Sequence, residues 1–135
     1  MMENFIFDTS IWLDFFEKRE KNGEVAFMLI IKIIENNWKI FYSDLHIKEL
    51  KNLSYTQDDI FKMFSIVNPN NLRKVHIYRK QIAEASRIAK ERNVPKRDAL
   101  QAVLSRDNYL QLISRDKHFE QLKDITIAKI PEDFI

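Results

Sequence analysis

The sequence predicts an α/β fold of three layers, with a mostly parallel central sheet of four or five strands flanked by helices. Three observations point there. Short apolar runs bounded by polar or turn-forming residues recur along the chain, as strands buried in a parallel sheet do. Stretches of helical periodicity separate them, and strands alternating with helices imply right-handed crossovers that cover both sheet faces. The length, 135 residues, is near the commonest domain size, so residues 1–135 are read as one domain.

The elements follow in order. Asn4-Phe5-Ile6-Phe7 is an apolar run stopped by Asp8, a first strand, and Ile11-Trp12-Leu13 with Phe15-Phe16 forms a helical cluster after it. Residues 24–35 read as a strongly apolar helix closed by Asn36-Asn37, which suit a C-cap. Residues 38–43 are a second strand, and Ser43 or Asp44 can cap the next helix, which carries Leu45, Glu49 and Leu50. Residues 57–67 form an amphipathic helix stopped by Asn68-Pro69-Asn70-Asn71. Within residues 76–92, Tyr78, Ile82, Ala85 and Ala89 make one helical stripe opposite Lys80, Glu84, Arg87 and Glu91. Asn93-Val94-Pro95 breaks it, and a helix beginning near Lys96 places Asp98 in its first turn. Residues 109–114 are a third strand running directly into Arg115-Asp116. A short helix at 119–122 leads to a last strand at 125–130, ended by Pro131.

Composition narrows the chemistry. Hydrophobic residues at 45% against charged residues at 31% argue for a packed core over disorder. No cysteine is present, which excludes disulfides, Cys-ligated zinc, iron–sulfur clusters and thiol nucleophiles. The start Met1-Met2-Glu3-Asn4 does not resemble a basic region before a signal-peptide core. The most apolar run, residues 25–34, contains Lys32 and falls well short of the ~20 residues of a membrane span. A cytoplasmic protein without a membrane partner is expected. Residues 73–97 carry nine basic and two acidic residues, a net of +7, so the rest must carry −5 to reach the total of +2. Such a swath suits a polyanionic partner or a solvated helix face.

The acids carry the functional argument. In an open α/β sheet the ligand site lies beyond the C-terminal ends of the strands. Asp8 and Asp116 each follow an apolar strand, and Asp98 sits where a helix N-terminus favours an anion. Glu49 lies two turns into a helix that leaves the same edge. Gathered carboxylates repel one another and hold protons unless a cation neutralises them. Their hard oxygens suit Mg²⁺ or Mn²⁺. Taken singly, Asp8 also reads as a helix N-cap, Asp98 as a dipole partner, Asp116 as a turn residue and Glu49 as a solvated side chain.

Four segments together resemble the motifs of PIN-domain nucleases. They are Phe7-Asp8-Thr9-Ser10, the run Ser43-Asp44-Leu45-His46-Ile47-Lys48-Glu49-Leu50, the run Arg92-Asn93-Val94-Pro95-Lys96-Arg97-Asp98-Ala99-Leu100, and Leu112-Ile113-Ser114-Arg115-Asp116-Lys117-His118-Phe119. Order and spacing match along essentially the whole chain, and the last two segments are the most specific. The resemblance implies a PIN-like fold and a metal-dependent endoribonuclease in which Asp8, Glu49, Asp98 and Asp116 are both catalytic and metal-holding. One or two ions, Mg²⁺ or Mn²⁺, would serve hydrolysis of single-stranded or structured RNA to leave a 5′-phosphate. Short members resemble the VapC-type toxins, which implies a cognate antitoxin protein and a homodimer; the apolar helix at 25–34 offers a face for the latter. Ser10, Lys48, Lys96, Arg97, Ser114, Arg115 and Lys117 are the candidate RNA contacts around the acids.

Two departures stand out. His118 occupies a place where many family members carry a further acid, and Ser114 stands where threonine is common. His118 reads either as a phosphate contact or as a partly exposed turn residue; His46 and His76 have no ligand-like spacing. Two rival readings remain. A non-catalytic PIN-like domain binding RNA or protein would lack one of the four acids, and none is missing. A phosphate-accepting signalling domain expects a pair of acids early in the chain, whereas Asp8 stands alone.

Overall fold

The computed structural model describes residues 4–67 and 69–135; the first three residues and Asn68, part of the expected helix stop, lie outside them. Four parallel strands form one sheet in the order β3-β2-β1-β4, with β1 Asn4–Phe7, β2 Lys39–Tyr42, β3 Leu72–Lys74 and β4 Gln111–Ile113. Registers pair Ile6 with Phe41 on one side and with Leu112 on the other. Because successive side chains alternate across a strand, the two faces feed separate cores. Phe5, Phe7, Ile40 and Ile113 pack with Ile11, Trp12, Leu29 and Met63. These come from α1 Thr9–Phe16, α2 Glu20–Glu35 and α4 Gln57–Phe64. Ile6 and Leu112 pack on the opposite face with Ala85, Ile88, Val103 and Leu104 from α5 Arg79–Arg92 and α6 Lys96–Asp107. The result is the three-layer α/β arrangement the alternation of elements predicts.

Local chemistry sets the element ends. Thr56 and Asp59 exchange side-chain and backbone hydrogen bonds at the start of α4, a reciprocal cap. Asn93 closes α5 in the left-handed conformation, φ 54° and ψ 48°, which Asn tolerates better than most residues. Pro95 then precedes α6 without sacrificing a helical N–H. The single glycine, Gly23, marks a close approach of α2 to the end of α1. A Cβ there would lie 2.6 Å from the Asp14 carbonyl oxygen.

Two expectations are corrected. The last strand at 125–130 is absent as such. Lys129 alone bridges Ile113, through its N–H to the Leu112 carbonyl and its carbonyl to the Ser114 N–H. The Gln111 side chain meanwhile takes the Ile127 carbonyl at 2.9 Å, so the ladder cannot extend. The fourth strand is instead β3, three residues of which two are charged, too short and polar to show a pattern. Helix α5 begins at Arg79, not His76, because Tyr78 is in extended conformation and the Gln81 side chain bonds its N–H. Helix α2 buries Val25, Ala26, Leu29, Ile30 and Ile33 but leaves Phe27 and Met28 exposed. Among the described residues no helix is long and apolar enough to cross a membrane.

Candidate metal centre

Strand β1 is the strand from which the chain departs to β2 on one side, with β4 arriving on the other. Such a switch point opens a crevice at the C-terminal strand edge. Asp8 follows β1 and begins α1, Asp116 stands three residues beyond β4, Glu49 projects from α3 Asp44–Asn52, and Asp98 lies in the first turn of α6. All four line one cleft of about 510 Å³.

Asp8 occupies the N-cap position of α1 yet makes no cap bond with its side chain. Its Oδ2 instead accepts the Ser114 hydroxyl at 2.7 Å, and the same Ser114 oxygen accepts the Asp116 N–H at 3.0 Å. One buried serine thus ties the first acid to the last. Asp116 Oδ1 accepts the His118 N–H at 2.9 Å, which fixes the turn. The Phe7–Asp8 peptide is held from both sides. Its N–H donates to the Ile113 carbonyl at 2.9 Å, and its carbonyl accepts His46 Nε2–H at 2.7 Å. His46 Nδ1 accepts the Ser43 N–H at 3.1 Å, so the imidazole bridges the ends of β1 and β2 where their ladder stops. Fully buried, this ring is held neutral, its pKa lowered to about 4 by burial and only partly restored by its backbone partners.

Asp8, Glu49 and Asp98 are perturbed upward. Burial pushes Asp8 up, with the Asp116 charge adding to it and the Ser114 hydrogen bond opposing. Glu49 is raised to about 7, chiefly by burial and then by the charge of Asp8. Asp98 is raised to about 6 by burial, by Asp116 and by Asp8. Arg97 opposes these shifts, its Nε 3.8 Å from Glu49 Oε2 and 3.9 Å from Asp98 Oδ1. Arg115 also lines the cleft but pairs with Glu132, and two arginines do not neutralise four acids. Glu49 Oε1 and Thr9 Oγ1 are buried in this cleft without a hydrogen bond of good geometry. The Thr9 hydroxyl is near enough to Glu49 to oppose its upward shift only weakly, and a poorly bonded buried polar atom is costly. Clustered hard oxygens, raised carboxyl pKa values and poorly bonded buried oxygens fit a divalent cation such as Mg²⁺ or Mn²⁺.

A sequence model of the PIN domain matches residues 5–125. The chain belongs to the PIN-domain family. Among solved structures it is similar to a chain of VapBC2 from Rickettsia felis bound to a DNA fragment from their promoter. That likeness has a TM-score of 0.70 and 14% identity, and it covers 94% of this chain and 98% of that one. A search of curated proteins finds no match.

In this PIN domain the residues expected around the acids separate into three groups. Ser10, Arg97 and Arg115 line the cleft, although Arg115 also pairs with Glu132 at 2.8 Å. Lys48, Lys96 and Lys117 are exposed but lie off its wall. Ser114 is buried, its hydroxyl engaged between Asp8 and Asp116. Of the nine basic residues at 73–97, Arg97 is the one on the cleft; Lys74 pairs with Asp44, Arg87 with Glu91 and Arg92 with Asp124. Sequence reasoning missed Thr9 and assigned His46 no role. His46 occupies the third helical position after the Ser43 cap, where Glu or Gln completes a capping box, and that spacing was the available signal.

Proposed function

We propose that this PIN domain is a metal-dependent endoribonuclease, the toxin of a toxin–antitoxin pair, acting through Asp8, Glu49, Asp98 and Asp116. The observation that carries the reading is the convergence of four acids from four separate segments on one cleft beside Arg97. When bound there, one or two Mg²⁺ or Mn²⁺ ions supply the Lewis acidity and charge neutralisation that phosphodiester hydrolysis needs. The chain's own residues hold and orient. Ser114 keeps the Asp8 carboxylate turned into the cleft and anchors the Asp116 backbone. Arg97 and Arg115 offer fixed positive charge to the RNA backbone at the rim, with Ser10 as a neutral donor.

The resemblance to VapC-type toxins makes a cognate antitoxin protein the partner to seek and favours a homodimer, and the likeness to a chain of the solved VapBC2 structure supports the same search. Exposed Phe27 and Met28 on α2 are apolar surface such an interface would cover. The deciding experiment incubates purified protein with labelled single-stranded and structured RNAs in Mg²⁺, Mn²⁺ or EDTA, beside Asp8→Asn and Asp98→Asn. Cleavage to 5′-phosphate ends that EDTA and both substitutions abolish is expected. A folded protein that binds neither divalent metal nor RNA refutes the proposal. One that binds RNA and metal but leaves every RNA intact favours a non-catalytic RNA-binding domain.

A further inference from the structure

The residue two places after Asp116 is an imidazole in a cluster otherwise made of carboxylates. His118 Nδ1 lies 3.1 Å from Asp98 Oδ2 and 3.0 Å from Asp116 Oδ1. A ring nitrogen carries either one proton or one lone pair, so two carboxylate oxygens converging on it leave at least one poorly matched. Three ligand atoms in adjacent positions on one octahedral cation, with bonds of about 2.1–2.2 Å, stand about 3.0–3.1 Å apart. Asp98, Asp116 and His118 each turn one ligand atom into a group spanning no more than 4.8 Å.

The ring is carried by a fixed backbone. Its N–H bonds Asp116 Oδ1, and the following Phe119 and Leu122 are buried. Asp98, the opposite ligand, is itself only 3% exposed, and the hydroxyl of Thr9, 4% exposed and without a hydrogen bond of good geometry, lines the adjoining cleft beside Glu49. The other two histidines do not compete: His46 is committed to Phe7 and Ser43, and the His76 ring sits against Tyr78.

We propose that His118 Nδ1 is a direct metal ligand, making with Asp98 and Asp116 a mixed nitrogen–oxygen site that prefers Mn²⁺ to Mg²⁺. The inference rests on the metal-dependent reading above. Both ions favour oxygen ligands, but Mg²⁺ demands a near-ideal octahedral oxygen shell, whereas Mn²⁺, at the weak end of the divalent transition-metal series, takes one imidazole among carboxylates at less cost than Mg²⁺ does. A carboxylate at this position would remove the distinction.

The test uses the full chain, stripped with EDTA and reloaded with Mn²⁺. Pulsed electron paramagnetic resonance reads ¹⁴N coupling to the bound ion, and calorimetry reads Mn²⁺ and Mg²⁺ affinities for wild type, His118→Asp and His118→Asn. Expected are a directly bonded nitrogen signal in wild type, its loss in both variants, and a fall of at least about tenfold in the Mn²⁺-over-Mg²⁺ preference in His118→Asp. Circular dichroism checks folding, and the 45% exposure of the His118 side chain makes both variants tolerable. Mn²⁺ that binds and is released by Asp98→Asn, yet shows no bonded nitrogen, overturns the His118 assignment and leaves the metal centre standing. An absence of Mn²⁺ binding overturns both.

Discussion

Replacing Glu49 by Gln should stabilise the EDTA-treated protein, and by an amount that grows with pH. Glu49 in the fold titrates near 7 where an ordinary glutamate titrates at 4.5, so the folded state holds a proton that the unfolded chain releases. Folding stability attached to this group is therefore intact below 4.5 and falls as pH rises from 4.5 to 7. The displacement corresponds to about 3 kcal/mol once pH exceeds both values. An isosteric amide removes that penalty, and it also relieves Asp8 and Asp98, whose charges face Glu49. The raw pH profile would mislead, because His46 acts oppositely over nearly the same range. Held near 4 against a usual 6.5, it stabilises above 6.5 and that contribution is lost as pH falls toward 4. The difference between variant and wild type at each pH cancels His46. Urea or thermal unfolding in EDTA should show almost no difference near pH 4 and a gain of about 3 kcal/mol near pH 8, on the order of 10 °C in Tm. Saturating Mn²⁺ should reverse the sign, since the wild-type carboxylate then has a cation. A difference that is flat with pH, or a variant less stable near pH 8 in EDTA, would refute the account of a strained acid cluster.

Three further outcomes test other parts of the structure. His46→Leu strands the Phe7 carbonyl and the Ser43 N–H in a buried site and should cost about 3 kcal/mol; an unchanged urea midpoint would show that the imidazole bridge is dispensable. Arg97→Gln should lower RNA affinity and reduce the slope of log K against log salt by about 1, read by fluorescence anisotropy; equal slopes would take Arg97 off the RNA path. Gly23→Ala places a methyl 2.6 Å from the Asp14 carbonyl oxygen. It should lose about 2 kcal/mol despite the better helix propensity of alanine, and a stabilised variant would mean that α1 and α2 separate freely.

What the sequence determined by itself was the class of the fold and the sheet edge at which the acids gather. Buried parallel strands are short and apolar, and their C-terminal ends all face one edge, so an acid directly after such a run can be assigned to that edge before any strand is paired. Asp8 and Asp116 were legible for that reason, and Asp98 because Asn93-Val94-Pro95 announces a helix start three residues before it. Glu49 was readable only through the motif around it, since two turns into a helix its direction depends on how α3 packs.

Tertiary structure decided everything that depends on neighbours distant in the chain. Leu72-Arg73-Lys74 became an edge strand because β2 offered a free ladder, while the more strand-like residues 125–130 found one bridge only. Pairing is a long-range choice that composition does not encode. The same holds at the site. Ser114 reaches Asp8 across 106 residues of sequence and His46 reaches Phe7 across 39, and neither contact has a local signal. The raised carboxyl pKa values arise from burial and mutual repulsion, which exist only once four segments share one cleft. His118 was visible in the sequence as a departure from the family pattern; its nitrogen beside two carboxylate oxygens was set by the fold.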